Sequence, residues 1–362
     1  MEKSRILDRV KPGVRAISAY TLREYEYEIK INQNENPVDV PRELKRKILD
    51  YALDRSWSRY PPFVPAELYD RLAAYAGWNP EGILAGNGSN EIILALMTVF
   101  LGPGKKLVIP APTFTVYRLV ATVLGAEVVQ VPLNPDYTFD CDALEGRFIA
   151  EGDMLVVCSP NNPTGALYPR GRIEALLDKT DAPVVVDEAY FEFSGETVAD
   201  LLAFHDNLAV LRTFSKAFSL AGLRMGYGLM DPALAREVGK AKLPYNINFL
   251  SIAAAITLLD NARDLEPAVR SIIAERDPMI RAMNGIEGVT AYPSRANFIL
   301  FETPFEPKRV FEGLLNEGIL VRDVSSYPML GKALRVSVST PEDNRRFICS
   351  LARIVGELKK EG

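Results

Sequence analysis

The chain has 362 residues, of which 48% are hydrophobic and 25% charged, and its 42 basic and 47 acidic side chains leave a net charge of −5. This composition is that of an ordinary globular protein, and the length predicts one large domain with a smaller one beside it. Charges of both signs are well mixed, and the lack of a basic run or lysine-rich arm argues against a nucleic-acid partner.

The number and spacing of the cysteine and histidine residues limit which kinds of site the chain can form. Cys141, Cys158 and Cys349 are far apart, so neither a disulfide framework nor a zinc site is expected, and a reducing compartment is favoured. The amino terminus lacks an apolar signal core and no apolar stretch approaches about 18 residues, which predicts a cytoplasmic protein with no membrane partner. His205 is the only histidine, so a multi-histidine metal site is excluded, and its place beside the polar turn Asp206-Asn207 favours a surface or loop role over a histidine triad. Another residue type must therefore move protons.

Between about residues 80 and 230, short apolar runs alternate with amphipathic stretches such as 91–101 and 172–179. The runs that predict strands are 106–109, 127–131, 154–158, 184–186, 208–212 and 226–230. Strands separated by helices indicate βαβ units and a largely parallel sheet. Such a sheet binds ligands at the carboxyl ends of its strands, and the unusual polar residues of this chain follow these runs.

After Met230 the pattern changes to that of a second α+β unit. The elements predicted there are helices at 231–242, 252–283, 308–317 and 342–360 and strands at 297–302, 319–323 and 333–339. The first 30 or so residues are polar and aromatic, without a clear core pattern. We therefore predict an amino-terminal segment at 1–35 that packs with the small domain, a large domain at 36–245, and a small domain with an interdomain helix at 246–362.

Three polar or aromatic segments in the first half of the chain contain candidate site residues. Gly86-Asn87-Gly88-Ser89-Asn90-Glu91 opens a predicted helix, where Ser89 or Asn90 can cap the helix and free N–H groups attract an anion. Phe114 can stack on a flat ring or fill the core. Asn161-Asn162-Pro163-Thr164-Gly165 follows a strand and is also ordinary turn chemistry. Only the combination of these segments with those below points to a site.

Val184-Val185-Val186-Asp187-Glu188-Ala189-Tyr190 brings an acid to a strand end and a tyrosine one short turn later. The aspartate can cap the next segment, or it can pair with a ring nitrogen and keep a pyridine protonated. In the second case, Tyr190 could donate its hydroxyl to the oxygen of the same ring.

Lys216 lies in the segment Arg212-Thr213-Phe214-Ser215-Lys216-Ala217-Phe218-Ser219-Leu220-Ala221-Gly222-Leu223-Arg224, just past a predicted strand. An isolated lysine is usually a solvated surface residue. Here the amine lies beside hydroxyl groups and a second cation, which favours loss of its proton, as a Schiff-base lysine requires. Thr213, Ser215 and Arg224 would supply donors and positive charge for a phosphate.

The chain resembles the fold-type I aminotransferases, which use pyridoxal 5'-phosphate (PLP), and the resemblance covers nearly its whole length. It is carried by three motifs in a characteristic order: Asn-Asn-Pro-Thr-Gly, Asp-Glu-Ala-Tyr and Ser-Lys-Ala-Phe-Ser-Leu-Ala-Gly-Leu-Arg. The histidinol-phosphate aminotransferase family is the most similar. Its pattern is also seen in Asn34-Glu35-Asn36-Pro37, Arg59-Tyr60-Pro61, Pro244-Tyr245-Asn246-Ile247-Asn248 and Leu334-Arg335-Val336-Ser337. The resemblance implies an α/β fold, with a mostly parallel sheet flanked by helices in the large domain and a smaller α+β domain.

The resemblance also implies a role for each site residue. Lys216 would bind the cofactor covalently and carry a proton between the substrate and cofactor carbons. Asp187 would hold the pyridine nitrogen, Tyr190 and Asn162 the ring oxygen, and Phe114 would stack on the ring. The residues implied around the cofactor phosphate are Gly88, Ser89, Thr213, Ser215, Arg224, Asn90 (which replaces the acidic residue common in the family) and, from the other subunit of a homodimer, Tyr60.

On the substrate side, the resemblance implies histidinol phosphate and 2-oxoglutarate or glutamate. Arg322 and Arg335 would bind their anionic groups, because bidentate arginine suits phosphate and carboxylate alike. Tyr20, Asn162 and Asn246 would be further contacts. An aromatic amino acid aminotransferase and a threonine-phosphate decarboxylase share the scaffold and remain alternatives. A nicotinamide-dependent oxidoreductase would need a Gly-x-Gly-x-x-Gly motif, and a regulatory module a DNA-binding segment, and the sequence has neither.

Overall fold

The computed structural model of the chain describes residues 6–18 and 23–361. Its strands are, in chain order, β1 (Ile29–Lys30), β2 (Ile83–Asn87), β3 (Lys106–Ala111), β4 (Glu127–Pro132), β5 (Met154–Cys158), β6 (Val184–Asp187), β7 (Leu208–Thr213), β8 (Met225–Met230), β9 (Thr290–Ala291), β10 (Phe298–Glu302), β11 (Ile319–Leu320), β12 (Arg322–Asp323) and β13 (Ala333–Ser337). Its helices are α1 (Pro12–Ala16), α2 (Arg42–Leu53), α3 (Ala66–Ala76), α4 (Ser89–Phe100), α5 (Thr115–Leu124), α6 (Cys141–Glu151), α7 (Arg170–Leu177), α8 (Phe191–Ser194), α9 (Pro232–Gly239), α10 (Phe249–Asp260), α11 (Glu266–Asn284), α12 (Pro307–Asn316) and α13 (Pro341–Glu361).

The main sheet has seven strands in the order β2-β8-β7-β6-β5-β3-β4. In this sheet β8 runs in the direction opposite to that of the other six strands, so the predicted mostly parallel α/β sheet is confirmed. Every residue of β5, β6 and β7 is buried, as expected for parallel strands covered by helices on both faces. The strand β2 was not predicted, because its short apolar run ends in Gly86 and Asn87.

The smaller sheet has four antiparallel strands in the order β12-β13-β10-β9, which agrees with the predicted α+β character of the second unit. A separate two-stranded parallel sheet joins β1 to β11, so the amino-terminal part of the chain pairs with the carboxyl-terminal part. The domain bounds at 35 and 245 stay a prediction. No helix among the described residues is long and apolar enough to cross a membrane.

Two predicted elements of the second unit are wrong in their extent. The stretch 252–283 forms two helices, because α10 ends at Asp260 and α11 begins at Glu266 after a short 3-10 turn, Ala262–Asp264. Pro267 lies in the first turn of α11, a position that proline favours because the N–H groups of the first turn have no partner within the helix. The predicted strand 319–323 is also divided, since β11 and β12 belong to different sheets.

Candidate active site

The carboxyl ends of three neighbouring parallel strands meet at one edge of the main sheet. β5 ends at Cys158, β6 at Asp187 and β7 at Thr213, and each strand pairs with the next. Because the predicted site segments follow these ends, the strand order alone brings them to the same edge. A cavity of about 580 Å³ lies there, and residues of β12 and β13 complete its wall.

Most of the predicted site residues line this cavity. They are Ser89, Asn90, Phe114, Asn162, Asp187, Tyr190, Thr213, Ser215, Lys216, Arg224, Arg322 and Arg335. Gly88 lies against the same wall, because a Cβ built on this glycine would come within 2.7 Å of Arg224 Nη2. The fold thus gathers side chains from widely separated segments of the chain.

The amine of Lys216 has an unusual environment. Its Nζ donates a hydrogen bond to the Gln33 carbonyl oxygen at 2.8 Å and lies 5.8 Å from the centre of the Tyr190 ring. Burial, together with the positive charge of Arg335, lowers the pKa of Lys216 to about 7. A large share of the amine is therefore neutral near pH 7, and the neutral amine is the form that attacks a carbonyl carbon.

Asp187, which is 3% exposed, presents a carboxylate at the end of β6. Its Oδ2 accepts a hydrogen bond from the Tyr117 hydroxyl at 2.6 Å, and its Oδ1 accepts one from the Ala189 backbone N–H at 3.1 Å. Burial raises the pKa of Asp187 to about 6, while the bond from Tyr117 opposes that effect. The carboxylate is therefore mostly ionised at neutral pH and suited to a protonated ring nitrogen.

Two side-chain amides orient the hydroxyl of Tyr190. This oxygen accepts hydrogen bonds from Asn34 Nδ2 at 3.1 Å and Asn162 Nδ2 at 3.2 Å. Burial raises the pKa of the Tyr190 phenol well above its ordinary value, so the hydroxyl keeps its proton. Because both acceptor positions are taken, that proton remains available to an acceptor in the cavity, such as a ring oxygen.

The turn before α4 presents backbone donors. Gly88, with φ of +78°, is the N-cap of this helix, and no side chain caps it. The prediction that Ser89 or Asn90 caps α4 is therefore wrong, because both lie inside the first turn. Their N–H groups have no acceptor within the helix, and together with the positive end of the helix dipole they form an anion site.

Arg224 lies on the other side of this anion site. It adopts a left-handed conformation with φ of +54°, and its Nη1 donates to Ser215 Oγ at 3.2 Å and to the Ala221 carbonyl oxygen at 3.1 Å. Gly226, two residues further along the chain, is also close to the start of α4. A Cβ on Gly226 would come within 2.3 Å of the Ser89 backbone nitrogen, so a larger residue would push β8 away from the start of α4. Hydroxyl, backbone and guanidinium donors at this spacing suit a phosphate dianion.

Two arginines face each other on the small sheet. Arg322 of β12 is directly opposite Arg335 of β13 in the antiparallel register, and opposite residues share one face of a sheet. Arg335 Nη1 donates to Asn162 Oδ1 at 2.5 Å, and its Nη2 donates to the Asn32 carbonyl oxygen at 2.8 Å. Neighbouring guanidinium groups repel one another, so this pair favours a bound carboxylate or phosphate.

The site therefore contains an amine, a carboxylate, a phenol and an anion site in one cavity. Phe114 adds a flat apolar surface to the wall, and its ring packs edge-on against Tyr117, with 5.5 Å between centroids and an interplanar angle of 84°. A pyridine aldehyde that carries a hydroxyl and a phosphate has a partner for each of these groups. PLP fits this set of residues.

Two predicted residues, Tyr60 and Asn246, lie away from the cavity wall, and a third belongs to a part of the chain that the structure does not describe. Tyr60 is 80% exposed and stacks on Tyr245, with ring centroids 4.5 Å apart. The Nδ2 of Asn246 donates to Glu91 Oε2 at 2.8 Å, and neither Asn246 nor Tyr60 is among the described residues that line the cavity. Tyr20 lies outside the described residues. The roles predicted for all three stay predictions.

The segment Asn32-Gln33-Asn34-Glu35 lines the cavity, although the sequence predicted no role for it. Its backbone carbonyls accept from Arg335 and Lys216, and the Asn34 side chain donates to Tyr190. The signal that could have identified it is Asn34-Glu35-Asn36-Pro37, which matched the family pattern. Its contacts are with residues far away in the sequence, so spacing alone did not reveal them.

The aminotransferase class I and II family model matches residues 27–351. The chain is 37% identical to the histidinol-phosphate aminotransferase of Desulfitobacterium hafniense (strain DSM 10664 / DCB-2), a match that covers 98% of this chain and 99% of the relative. It is 39% identical to the enzyme of the same name from Chlorobaculum tepidum, over 95% of this chain and 100% of the relative.

A solved structure gives the same picture of the fold. The histidinol-phosphate aminotransferase of Sinorhizobium meliloti, determined in complex with pyridoxal-5'-phosphate, has a TM-score of 0.87 to this chain. The match covers 97% of this chain and 98% of that one, at 22% sequence identity. At this identity the likeness establishes the fold.

Proposed function

Because this chain belongs to the class I and II aminotransferases, we propose that it uses PLP to transfer the amino group of L-histidinol phosphate to 2-oxoglutarate. The products are imidazole acetol phosphate and L-glutamate, in a step of histidine biosynthesis. The observation that carries this proposal is the facing pair Arg322 and Arg335 in the cavity that also contains the Lys216 amine. The names of the two relatives point to the same substrate.

Each group of the cofactor has a proposed partner. Lys216 takes the aldehyde carbon, Asp187 the ring nitrogen, and Tyr190 with Asn162 the ring oxygen. Phe114 takes one face of the ring. The proposed phosphate ligands are Gly88, Ser89, Asn90, Thr213, Ser215 and Arg224. When bound, PLP supplies an electron sink that stabilises negative charge at the substrate carbon.

Lys216 is proposed to move the proton. With a pKa of about 7, its amine is divided between neutral and protonated forms near neutral pH, which is the best range for a group that first accepts and then returns a proton. The Gln33 carbonyl oxygen accepts a hydrogen bond from this amine at 2.8 Å and so holds it at the cavity wall. This assignment agrees with a chain whose sole histidine, His205, is not among the described cavity residues.

The arginine pair is proposed to bind both substrates in turn. Histidinol phosphate has a phosphate and no carboxylate, whereas glutamate has carboxylates and no phosphate. A planar guanidinium presents paired N–H donors that suit either group. The bonds from Arg335 to Asn162 and to the Asn32 carbonyl orient its guanidinium before a substrate arrives.

A substrate panel tests the reaction. The purified protein is assayed with 2-oxoglutarate against histidinol phosphate, phenylalanine, tyrosine and threonine phosphate, and kcat/KM is compared. We expect histidinol phosphate to be preferred over phenylalanine and tyrosine by about a hundredfold, because a phosphate dianion pairs more strongly with two guanidinium groups than a singly charged carboxylate does. Equal use of phenylalanine would instead favour an aromatic aminotransferase, and release of carbon dioxide from threonine phosphate would favour a decarboxylase.

The covalent link is tested separately. Borohydride reduction of the coloured protein should leave a pyridoxyl group on Lys216, identified by peptide mass spectrometry, and Lys216→Ala should give a protein without that label. Labelling of a different lysine would contradict the assignment of Lys216.

We also propose that the active unit is a homodimer in the cytoplasm, with Tyr60 reaching the phosphate bound in the other subunit. Trp57, Tyr60, Phe63 and Leu243 are 71%, 80%, 68% and 75% exposed, and apolar surface of this kind marks an interaction face. The molar mass measured by light scattering tests whether the protein is a dimer.

Mixing Lys216→Ala with Tyr60→Ala subunits tests whether the two subunits share an active site, because a hybrid dimer would contain one site with both residues intact. No recovery of activity would place Tyr60 outside the partner's site.

A further inference from the structure

Asn246 supports the turn that leads into α4. Its Nδ2 donates to Glu91 Oε2 at 2.8 Å, and the same oxygen accepts the Asn87 backbone N–H at 2.6 Å. Glu91 is the third residue of α4, so its carboxylate reaches back across the first turn as in a capping box, although the cap itself, Gly88, has no side chain. The amide of Asn246 therefore fixes a side chain that braces this turn.

The same part of the chain supports the other side of the anion site. Ser251 Oγ donates to the Leu223 carbonyl oxygen at 2.6 Å, and Leu223 directly precedes Arg224. Ser251 is 1% exposed, and its backbone N–H donates to the Asn248 side chain, which caps α10. The segment 246–251 thus contacts both the helix start and the arginine segment between which a phosphate would bind.

The contact between Asn246 and Glu91 bears on phosphate binding because Glu91 carries a negative charge. A carboxylate near the start of α4 repels a bound phosphate, so its position affects how tightly the phosphate is held. Asn246 holds this carboxylate on the Asn87 N–H. Lys242 lies close by, donates a hydrogen bond to the Ala85 carbonyl oxygen, and has a pKa lowered by burial, against the opposing effect of Glu91.

We propose that Asn246 is a positioning residue for the phosphate of PLP. Through Glu91 it fixes the backbone donors at the start of α4, while Ser251 does the same for the segment before Arg224. Asn246 was predicted to contact the substrate, but its side-chain amide donates to Glu91 and it is not among the described residues that line the cavity. The proposal rests on PLP as the cofactor and is independent of the amine substrate.

Comparison of two cofactor forms tests this role. Binding of PLP and of pyridoxal, which lacks the phosphate, is measured by the absorbance of the lysine-bound form after cofactor exchange. We expect Asn246→Ala to raise the Kd for PLP about tenfold, as for a lost hydrogen bond to a charged group, and to leave the Kd for pyridoxal unchanged. Asn246→Asp should weaken PLP further, because its charge repels Glu91.

A matched control lies at the other end of α10. Asn261 Nδ2 donates to the Thr257 carbonyl oxygen, away from the anion site, so Asn261→Ala should leave both affinities unchanged. If Asn246→Ala does not fold, Ser251→Ala provides the same selective readout.

Two results would overturn the proposal. An equal loss of PLP and pyridoxal affinity would indicate a general structural role. Unchanged PLP affinity with a raised KM for histidinol phosphate would restore Asn246 to the substrate. Failure of the proposed reaction would appear in the substrate panel and would leave these binding measurements valid.

Discussion

Tyr117 donates its hydroxyl to Asp187 Oδ2 at 2.6 Å, and both side chains are buried next to the cavity. Tyr117 belongs to α5, which begins directly after Phe114, so one short segment places a ring in the cavity wall and a donor on the carboxylate. The bond opposes the effect of burial on the pKa of Asp187. Tyr117 thus keeps the carboxylate ionised where a ring nitrogen would need it.

Substituting Tyr117→Phe should shift the pH dependence of the reaction. Loss of the donor raises the pKa of Asp187 above its value of about 6, so the carboxylate takes up a proton at higher pH. The acid limb of the kcat profile should move to higher pH, while activity in the alkaline range is retained. Tyr168→Phe is the matched control, because Tyr168 bonds Glu145 at 2.8 Å outside the cavity. An acid limb that does not move would show that the Tyr117 bond has no part in this ionisation.

Arg335→Gln should raise the pKa of Lys216. Removing a neighbouring positive charge favours the protonated amine, so the pKa moves up from about 7. The pH midpoint for reductive methylation of Lys216 in cofactor-free protein measures this shift by mass spectrometry. Arg236→Gln, a change at an exposed residue of α9, should leave the midpoint in place. A midpoint that is the same in all three proteins would contradict the electrostatic role of Arg335.

Replacing Arg322 or Arg335 with lysine should weaken substrate binding and spare the cofactor. A lysine keeps the charge but loses the paired donors, so the KM for histidinol phosphate and for glutamate should rise by about tenfold or more. Steady-state kinetics measure this change, and the absorbance of bound PLP shows whether the cofactor is retained. A normal KM for both substrates would remove the arginines from the substrate site.

Glu192→Gln should change stability in a pH-dependent way. Glu192 Oε2 has no hydrogen-bond partner among the described residues, and burial raises the pKa of this carboxyl to about 8. Because the pKa of Glu192 in the folded protein lies above the ordinary glutamate value of 4.5, folding takes up a proton between these two pH values. This contribution to stability is fully present below about pH 4.5 and is lost by about 1.4 kcal/mol per pH unit as the pH rises towards 8.

The Glu192→Gln side chain cannot titrate. The free energy of unfolding of the variant minus that of the wild type should therefore increase from about pH 5 to about pH 8. Urea unfolding at both pH values measures the difference. Glu174→Gln, at an exposed pair with Arg170, is the control and should show a constant difference. A constant difference for Glu192→Gln as well would mean that its carboxyl titrates normally in the folded protein.

Local patterns predicted a large part of the candidate site. Asp187, Thr213 and Lys216 each end or follow a buried apolar run, and parallel strands bring their carboxyl ends to one edge. The phosphate-side residues follow from motifs that combine glycine, hydroxyl groups and arginine. These signals depend on neighbours within a few residues, so they can be recognised in the chain before it is folded.

Other features depend on contacts between distant segments. The bond from Lys216 to the Gln33 carbonyl joins residues 183 positions apart, and neither residue type signals it. The capping of α4 also went against expectation, because Gly88 at positive φ takes the cap position and leaves Ser89 and Asn90 inside the helix.

The sequence by itself determined the α/β class, the family and the residues at the strand ends, because hydrophobic periodicity and short motifs are local properties. Only the tertiary structure decided that Tyr117 bonds Asp187, that Asn246 bonds Glu91 and that Arg322 faces Arg335. It also decided the pKa of Lys216. Burial and the distances between charges control these properties, and both arise when segments far apart in the chain pack together.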